Sequence, residues 1–389
     1  MTDQGLVGLC GYADSDADAL RARVLGKNPF DPEVRADVGM AYWDLAAKLA
    51  ELPLCRYLAR IFESAVEPAS HVPTAAYTWA RFPDLDGEHA VDFDSYPAHL
   101  EKIIAEDGFE VIKLSLCDFE PPRCIDLIHN IREALGPDVT IRVDPHASWS
   151  ESQALKVMKS VEDCDLEWIE EPVGGSFENI FRAGDRLRRM STVPISSHAW
   201  LPPLVGSAPD RGRYGGGTLE CPVNPELIAR YQPADISAPD AFAGPLALKR
   251  YYDLARFCGM DIGMHSAYEL GPGTAIRLHI AAWAFPYDPG YHIAWGRTPA
   301  PFANHAIDAH YNQWVSDIIR GGKMKYERGF LAVPQGPGLG TELDPELLDR
   351  YRWTEHGART HIEHIGTIRC EHTERLGWRR ERTGWPRWS

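Results

Sequence analysis

The chain has 389 residues, 44% hydrophobic and 25% charged, enough to bury a large core in one barrel with an appendage or in two domains. Its net charge of −16 argues against nonspecific binding to nucleic acid or to an anionic membrane, so neither is expected as a partner. No segment approaches the ~18 uninterrupted apolar residues of a membrane span, and the N-terminus lacks a basic region followed by an apolar run. The eight cysteines are dispersed with no CxxC pair, which reads as buried thiols in a reducing compartment and predicts a cytoplasmic protein.

In chain order, the first strong element is a helix pattern over 36–52 (ADVGMAYWDLAAKLAEL). From about 72 to 310 one unit then recurs: a short apolar run ending in polar residues, followed by an amphipathic helix pattern. The runs are VPTAAYT (72–78), VIKLSL (111–116), TIRVDP (140–145), LEWIEEP (166–172), PISSHA (194–199), DISAPD (235–240), DIGMHS (261–266) and HAIDAH (305–310). Eight such units predict an α/β fold, a parallel (β/α) TIM-type barrel.

The intervening helices carry recognisable ends. Cys124, Leu127, Ile128, Ile131 and Leu135 form a stripe that stops at Gly136. Ser150 and Gln153 form a candidate capping box ahead of Ala154, Met158 and Val161. Pro245 opens and Gly259 closes the helix after the sixth run. Residues 200–228 and 285–303, rich in Pro, Gly and aromatics, read as long loops of the kind that form lids or subunit contacts, and a homo-oligomer is expected. The Gly215–Gly217 run and the GPGLG of 336–340 read as plain turns rather than phosphate cradles, because neither lies between a strand and a helix. The stretch 329–344 returns to strand and turn. The last 37 residues, with seven arginines and four tryptophans counting Trp353, show no clean periodicity and are expected to be poorly ordered.

In a β/α barrel all strand C-termini face one mouth, so residues ending different strands converge there. The endings are Lys113, Asp144, Glu170, His198, Asp240, His265 and Asp308/His310, spaced by about one β/α unit along much of the chain. Asp144 and Glu170 offer the hard carboxylate oxygens that suit Mg²⁺. His198 completes a candidate metal trio, although an imidazole suits Mn²⁺, Fe²⁺ or Zn²⁺ better, so the metal is Mg²⁺ with Mn²⁺ or another divalent ion as the alternative. A lone strand-end Asp is more often a cap or turn residue than a ligand, and a lone His more often a satisfied structural group; the convergence favours chemistry. Of Glu170 and Glu171, one should point into the barrel and the other away. A carboxylate at Asp240 beside the imidazole of His265 makes a general base.

WIEEPV, the D-P-H-A-S-W segment and GMDIGMHS together resemble the enolase superfamily in its mandelate racemase-like branch, from about residue 5 to 352. The GLVGLCGY stretch is similar to a strand of that family's capping domain, as AYWDLAAKL is to its helix and VPQGPGLGTELD to its closing segment. Strand-six PD, strand-seven MHS and AIDAHYNQ look most like the glucarate dehydratases. The resemblance implies a shortened α+β capping domain from 1–70 and 326–352, a catalytic barrel over 71–325, and a C-terminal extension over 353–389. It also implies a metal that holds a substrate carboxylate and stabilises the enediolate formed when the α-proton leaves, the β-hydroxyl then departing as water. Carried over, Asp144 and Glu170 match metal ligands, and His198 stands where those dehydratases place an asparagine ligand. His265 with Asp240 matches their His–Asp dyad, and Asp308 and His310 match strand-eight residues near the substrate.

Three departures qualify the resemblance. The family's Lys-x-Lys is here Lys113-Leu114-Ser115: Lys113 can offer charge to the substrate carboxylate, but Ser115 is no effective base without an activator. The expectation is therefore a one-base enzyme working through His265. His146 replaces an asparagine and either contacts the substrate or fills the loop. About 40 residues of the family's capping domain have no counterpart, so the domain is shortened or the given start lies inside a longer gene. The expected function is a carbon–oxygen lyase forming a 2-keto-3-deoxy acid from a small carboxylate of the sugar-acid class. The alternatives are an epimerase, racemase or cycloisomerase on the same scaffold, or a noncatalytic metal-binding paralogue.

Overall fold

The computed structural model describes residues 2–350 apart from 4, 11–16, 33, 35–38, 65, 79–92, 117–118, 175–176, 198–224, 240, 242–243, 266–268, 286–304 and 315. Of the predicted elements, the loop at 200–224, most of that at 285–303, the Gly215–Gly217 run and the terminal extension lie outside these residues, as do His198 and Asp240.

Each of the eight apolar runs contributes a strand: β1 (His71–Thr78), β2 (Val111–Ser115), β3 (Thr140–Asp144), β4 (Leu166–Glu170), β5 (Ile195–Ser197), β6 (Ile236–Ser237), β7 (Asp261–Ile262) and β8 (Ile307–Ala309). They pair in parallel in sequence order from β1 to β7, and β8 returns to pair with β1. Between β7 and β8 the sheet meets itself through backbone bonds rather than a ladder: Asp308 N–H donates to the Met264 carbonyl at 3.0 Å and His305 N–H to Ile262 at 3.4 Å. His310 falls one residue past β8, in a 3₁₀ turn over His310–Gln313 rather than on the strand.

The strands are buried on both faces, as parallel strands covered by helices must be. On β2, Ile112 and Leu114 alternate with Lys113 and Ser115, and all four are fully buried. The apolar pair therefore serves one face and the polar pair the other. Register then ranks the polar face: Tyr77 lies beside Lys113, Lys113 beside Arg142, and Ser115 beside Asp144.

The helix ends follow the local chemistry. The helix Pro121–Leu135 buries Cys124, Leu127, Ile128 and Ile131 and stops at Gly136. The helix Glu151–Ser160 begins with both bonds of the Ser150/Gln153 capping box. The helix Pro245–Phe257 is closed by Cys258 and Gly259, the latter at φ 74°. One reading is corrected: residues 225–228, taken as loop, open a helix over Pro225–Tyr231, where a leading proline suits the first turn.

The N-terminal appendage is also partly corrected. Residues 5–10 form no strand; no partner strand lies beside them among the described residues, and a strand without a neighbour leaves its backbone groups unpaired. Side chains of the helix Met40–Leu49 satisfy them instead. Leu9 N–H donates to Asp44 Oδ2 at 2.8 Å, and Lys48 Nζ to the Val7 carbonyl at 2.7 Å. Buried Asp44 also accepts from Leu339 N–H at 2.8 Å, tying this helix to the GPGLG turn. Gly338 sits there at φ 69°, and a Cβ on it would fall 2.1 Å from Asp44 Oδ1, so the residue has to be glycine. The 329–344 stretch forms β10 (Phe330–Ala332) after β9 (Tyr326–Glu327); β10 pairs antiparallel with β1 of the barrel sheet.

Candidate active site

The ends of β3 and β4 carry the two expected carboxylates, and their following loops fix them. His146 and Ala147 hold φ 50° and 55°, and Glu171 holds φ 40°. Left-handed backbone at three non-glycine residues is strained, and such strain collects where side chains must be aimed. The two loops brace each other: Ala147 N–H donates to the Glu171 carbonyl at 2.8 Å, and a Cβ at Gly174 would come within 2.7 Å of the Ala147 carbonyl oxygen. Of the adjacent glutamates, Glu170 is fully buried, whereas Glu171 is half-buried and accepts from Ser197 Oγ at 3.1 Å.

Lys113 lies at the centre of the arrangement. Its Nζ is 2.7 Å from Glu170 Oε2, 2.7 Å from Asp308 Oδ2 and 3.2 Å from Asp144 Oδ2, and all four side chains are buried. Arg142, also fully buried, donates to the other Asp308 oxygen at 2.8 Å and stacks on Trp168 at 3.8 Å. It is also paired with Glu167, which bonds His305.

Burial opposes every charge here, and the neighbours decide which charges survive. Against burial, the Asp308, Glu170 and Asp144 carboxylates hold the Lys113 ammonium above its usual range. Against burial, His146, Lys113 and the Tyr77 hydroxyl keep Asp144 well below the carboxylate range. Against burial, Lys113 and Arg142 also lower Asp308. Glu170 goes the other way: burial, reinforced by Asp144 and Asp308, outweighs Lys113 and drives it well above its ordinary value.

The remaining expected residues surround this core. Tyr77 Oη donates to Asp144 Oδ2 at 2.6 Å and lies 3.0 Å from His146 Nε2. His146 Nε2 is 3.2 Å from Ser115 Oγ, and its backbone N–H donates to Asp144 Oδ1 at 2.8 Å. His310 is buried against the Tyr77 ring at 4.0 Å, where burial, with His265 and Lys113, favours its neutral form. His265 places Nε2 3.9 Å from Glu170 Oε1. Its backbone N–H reaches the Ala238 and Pro239 carbonyls, both at 3.2 Å, so the end of the seventh run is tied to that of the sixth. The described residues thus bring together Lys113, Ser115, Asp144, His146, Glu170, His265, Asp308 and His310.

Two participants escaped the sequence reading. Tyr77 is the penultimate residue of β1, and Arg142 stands two residues before Asp144 on β3. Alternation along a strand puts Arg142 on the same face as Asp144 and was the available signal; Tyr77 had none beyond its place near a strand end.

Fold and site together define a β/α-barrel protein that gathers carboxylates, a lysine and histidines at its strand ends. The chain belongs to the enolase C-terminal domain-like family, whose model matches residues 95–198 and 228–347. A probable glucarate dehydratase from Streptomyces coelicolor is 25% identical over 315 residues, 79% of this chain and 63% of that protein. D-Ala-D/L-Ala epimerase from Cytophaga hutchinsonii is 26% identical over 327 residues, 81% of this chain and 71% of its own. An enolase from Pseudomonas fluorescens, solved with bound magnesium, potassium and tartrate, shares the fold at TM-score 0.64 and 20% identity, covering 92% of this chain and 75% of that one. The chain therefore spans less than two thirds of the probable glucarate dehydratase it matches.

In donor type, the carboxylates gathered around the Lys113 ammonium suit a divalent cation. Asp144, Glu170 and Asp308 are three buried carboxylates around one lysine, with Arg142 shared between Asp308 and Glu167. The described cluster is thus richer in acid than in fixed cation, and the upward displacement of Glu170 is the consequence a further cation would relieve. Hard carboxylate oxygens are the ligands Mg²⁺ takes.

Proposed function

We propose that the protein is a metal-dependent dehydratase that takes the α-proton from a sugar-acid carboxylate and expels the β-hydroxyl, giving a 2-keto-3-deoxy acid. The observation that supports this most directly is the juxtaposition of Asp144 and Glu170 around Lys113, with His265 3.9 Å from Glu170. Asp144 and Glu170 would hold the metal; His198 keeps its sequence-based assignment as a third ligand. When bound, a divalent cation there supplies charge stabilisation to the substrate carboxylate and to the negative charge that grows on it.

The chain's own groups do the rest. His265 takes the α-proton on Nε2, with Asp240 assigned from the sequence to fix its tautomer. The electron pair left on the α-carbon forms the new double bond as the β C–O bond breaks, and protonated His265 returns its proton to the departing hydroxyl. The enol left behind then ketonises, its hydroxyl proton being lost as the β-carbon gains one, to give the 2-keto-3-deoxy acid. Lys113, engaged by three carboxylates, acts by holding Asp144 and Glu170 in the charged cluster rather than as a free ammonium. Tyr77 orients Asp144, and Asp308 anchors Lys113 and Arg142 below the mouth.

Aldonic and aldaric acids screened with Mg²⁺ should yield a 2-keto-3-deoxy product with at least one member. His265→Asn and Asp144→Asn should each lower turnover by at least about 100-fold. Full activity in either variant refutes the site assignment. An epimerase is the second reading, favoured by the 26% identity to D-Ala-D/L-Ala epimerase. Solvent deuterium separates the two: a one-base dehydratase exchanges the α-hydrogen of one epimer only, whereas equal exchange with both supports epimerisation.

A further inference from the structure

A second cluster of ligand-type side chains lies at the other end of β4 from Glu170. The helix Glu151–Ser160 runs through a 3₁₀ turn, Glu162–Cys164, into β4, which begins at Leu166. Glu170 closes the strand, four residue steps or roughly 13 Å further on. At this far end Cys164 Sγ lies 3.2 Å from His129 Nδ1 and 3.8 Å from Asp163 Oδ1. One ligand atom from each of the three residues falls within 4.8 Å of the others. Among the described residues no other group of three or more His, Cys, Asp or Glu meets that spacing.

We infer that His129, Asp163 and Cys164 form a binding site for a thiophilic divalent cation of the Zn²⁺ class, separate from the barrel mouth. Three features make this a built site. The tautomer is set: His129 Nε2 lies 2.9 Å from the Ser160 carbonyl, which can only accept, so Nε2 carries the proton and Nδ1 turns its lone pair toward the sulfur. The loop is pinned from both sides. Arg132 donates to the carbonyls of Cys164 at 2.7 Å and Asp165 at 3.1 Å. Glu162 Oε1 accepts from Lys159 Nζ at 2.9 Å, Ser191 Oγ at 2.9 Å and Thr192 N–H at 3.1 Å. Last, the site has a buried and an open side: Cys164 is buried, while the Asp163 side chain is 77% exposed and that of His129 41% exposed, which gives an ion a way in.

The ligand chemistry selects the ion. One thiolate, one imidazole and one carboxylate suit Zn²⁺ with a water in the fourth position, and a thiolate disfavours Mg²⁺. Thiolate and carboxylate together neutralise the ion's two charges. A bound ion would join the helix carrying His129 to the turn that feeds β4.

Co²⁺ is the probe, because thiolate-to-cobalt charge transfer absorbs in the near ultraviolet and carboxylates at the mouth contribute nothing to it. The full chain, stripped with EDTA, is titrated with Co²⁺ and then with Zn²⁺, with circular dichroism confirming the fold of every variant. The wild type should show a charge-transfer band of about one equivalent that Zn²⁺ removes. Cys164→Ser should lose the band, and His129→Ala should weaken Co²⁺ binding at least about 10-fold. Absence of the band in the wild type overturns the site. So does a band that persists in Cys164→Ser, or one whose affinity His129→Ala leaves unchanged.

Discussion

At the scale of single residues, the decisive group is Lys113, because one buried ammonium faces three buried carboxylates. Replacing it by methionine keeps the length and removes the charge. Breaking a buried ion pair by deleting one partner costs about 3–5 kcal/mol, since the remaining charges stay buried without compensation. Lys113→Met should therefore lower the unfolding free energy in urea by about that amount at neutral pH. The pH dependence carries the argument further. In the variant Glu170, already raised by burial and by Asp144 and Asp308, loses the Lys113 ammonium that lowers it, so its folded-state pKa rises further above that of the unfolded chain. A folded state that binds protons more readily than the unfolded one gains stability as pH falls. The deficit should shrink between pH 7.5 and 5.5; a deficit independent of pH would show that lost packing, not lost charge, is responsible. Much of this site was legible in the sequence, because Lys113, Asp144 and Glu170 end strands and strand ends converge. What was not legible is that Lys113 points its charge at its own carboxylates, since that depends on the register that sets Tyr77, Lys113 and Arg142 side by side.

Between elements, one buried histidine joins three segments. His279, on the helix Gly271–Ala284, accepts from Cys55 N–H at 3.2 Å through Nδ1 and lies 3.2 Å from the Leu339 carbonyl through Nε2. Both bonds need the neutral ring with its proton on Nε2, and burial lowers the pKa to about 4 against 6.5 for the free side chain. The folded pKa lies below the unfolded one, so the unfolded state binds the proton first as pH falls. Stability from this clamp is complete above about pH 6.5 and declines down to about pH 4, where the folded protein takes the proton too. The full loss is about 3 kcal/mol. His279→Gln, in urea melts across that range, should flatten the slope; an unchanged slope would place the acid sensitivity elsewhere. Helices of this kind were readable where capping chemistry is local, as at Ser150/Gln153 and Pro245. The N-terminal stretch was misread as a strand because strand formation depends on a neighbour, and Asp44 and Lys48 took that neighbour's place.

For the whole molecule, charge and metal must be separated. A net charge of −16 means that any salt relieves self-repulsion and raises the melting temperature somewhat. A cation held by Asp144 and Glu170 adds a different contribution, because it binds the folded state and finds no assembled site in the unfolded one. At a hundredfold excess over its dissociation constant that contribution is about 2.7 kcal/mol. The two are distinguished by comparing Mg²⁺ with NaCl at equal ionic strength. In the wild type Mg²⁺ should raise the melting temperature by a few degrees beyond the NaCl effect. In Asp144→Asn, and separately in Glu170→Gln, the excess should vanish while the NaCl effect remains. Cys164→Ser should leave the Mg²⁺ excess intact, because a hard cation does not select a thiolate. If Mg²⁺ and NaCl prove equivalent in the wild type, the acid excess around Lys113 balances itself without a cation, and the dehydratase reading loses its metal.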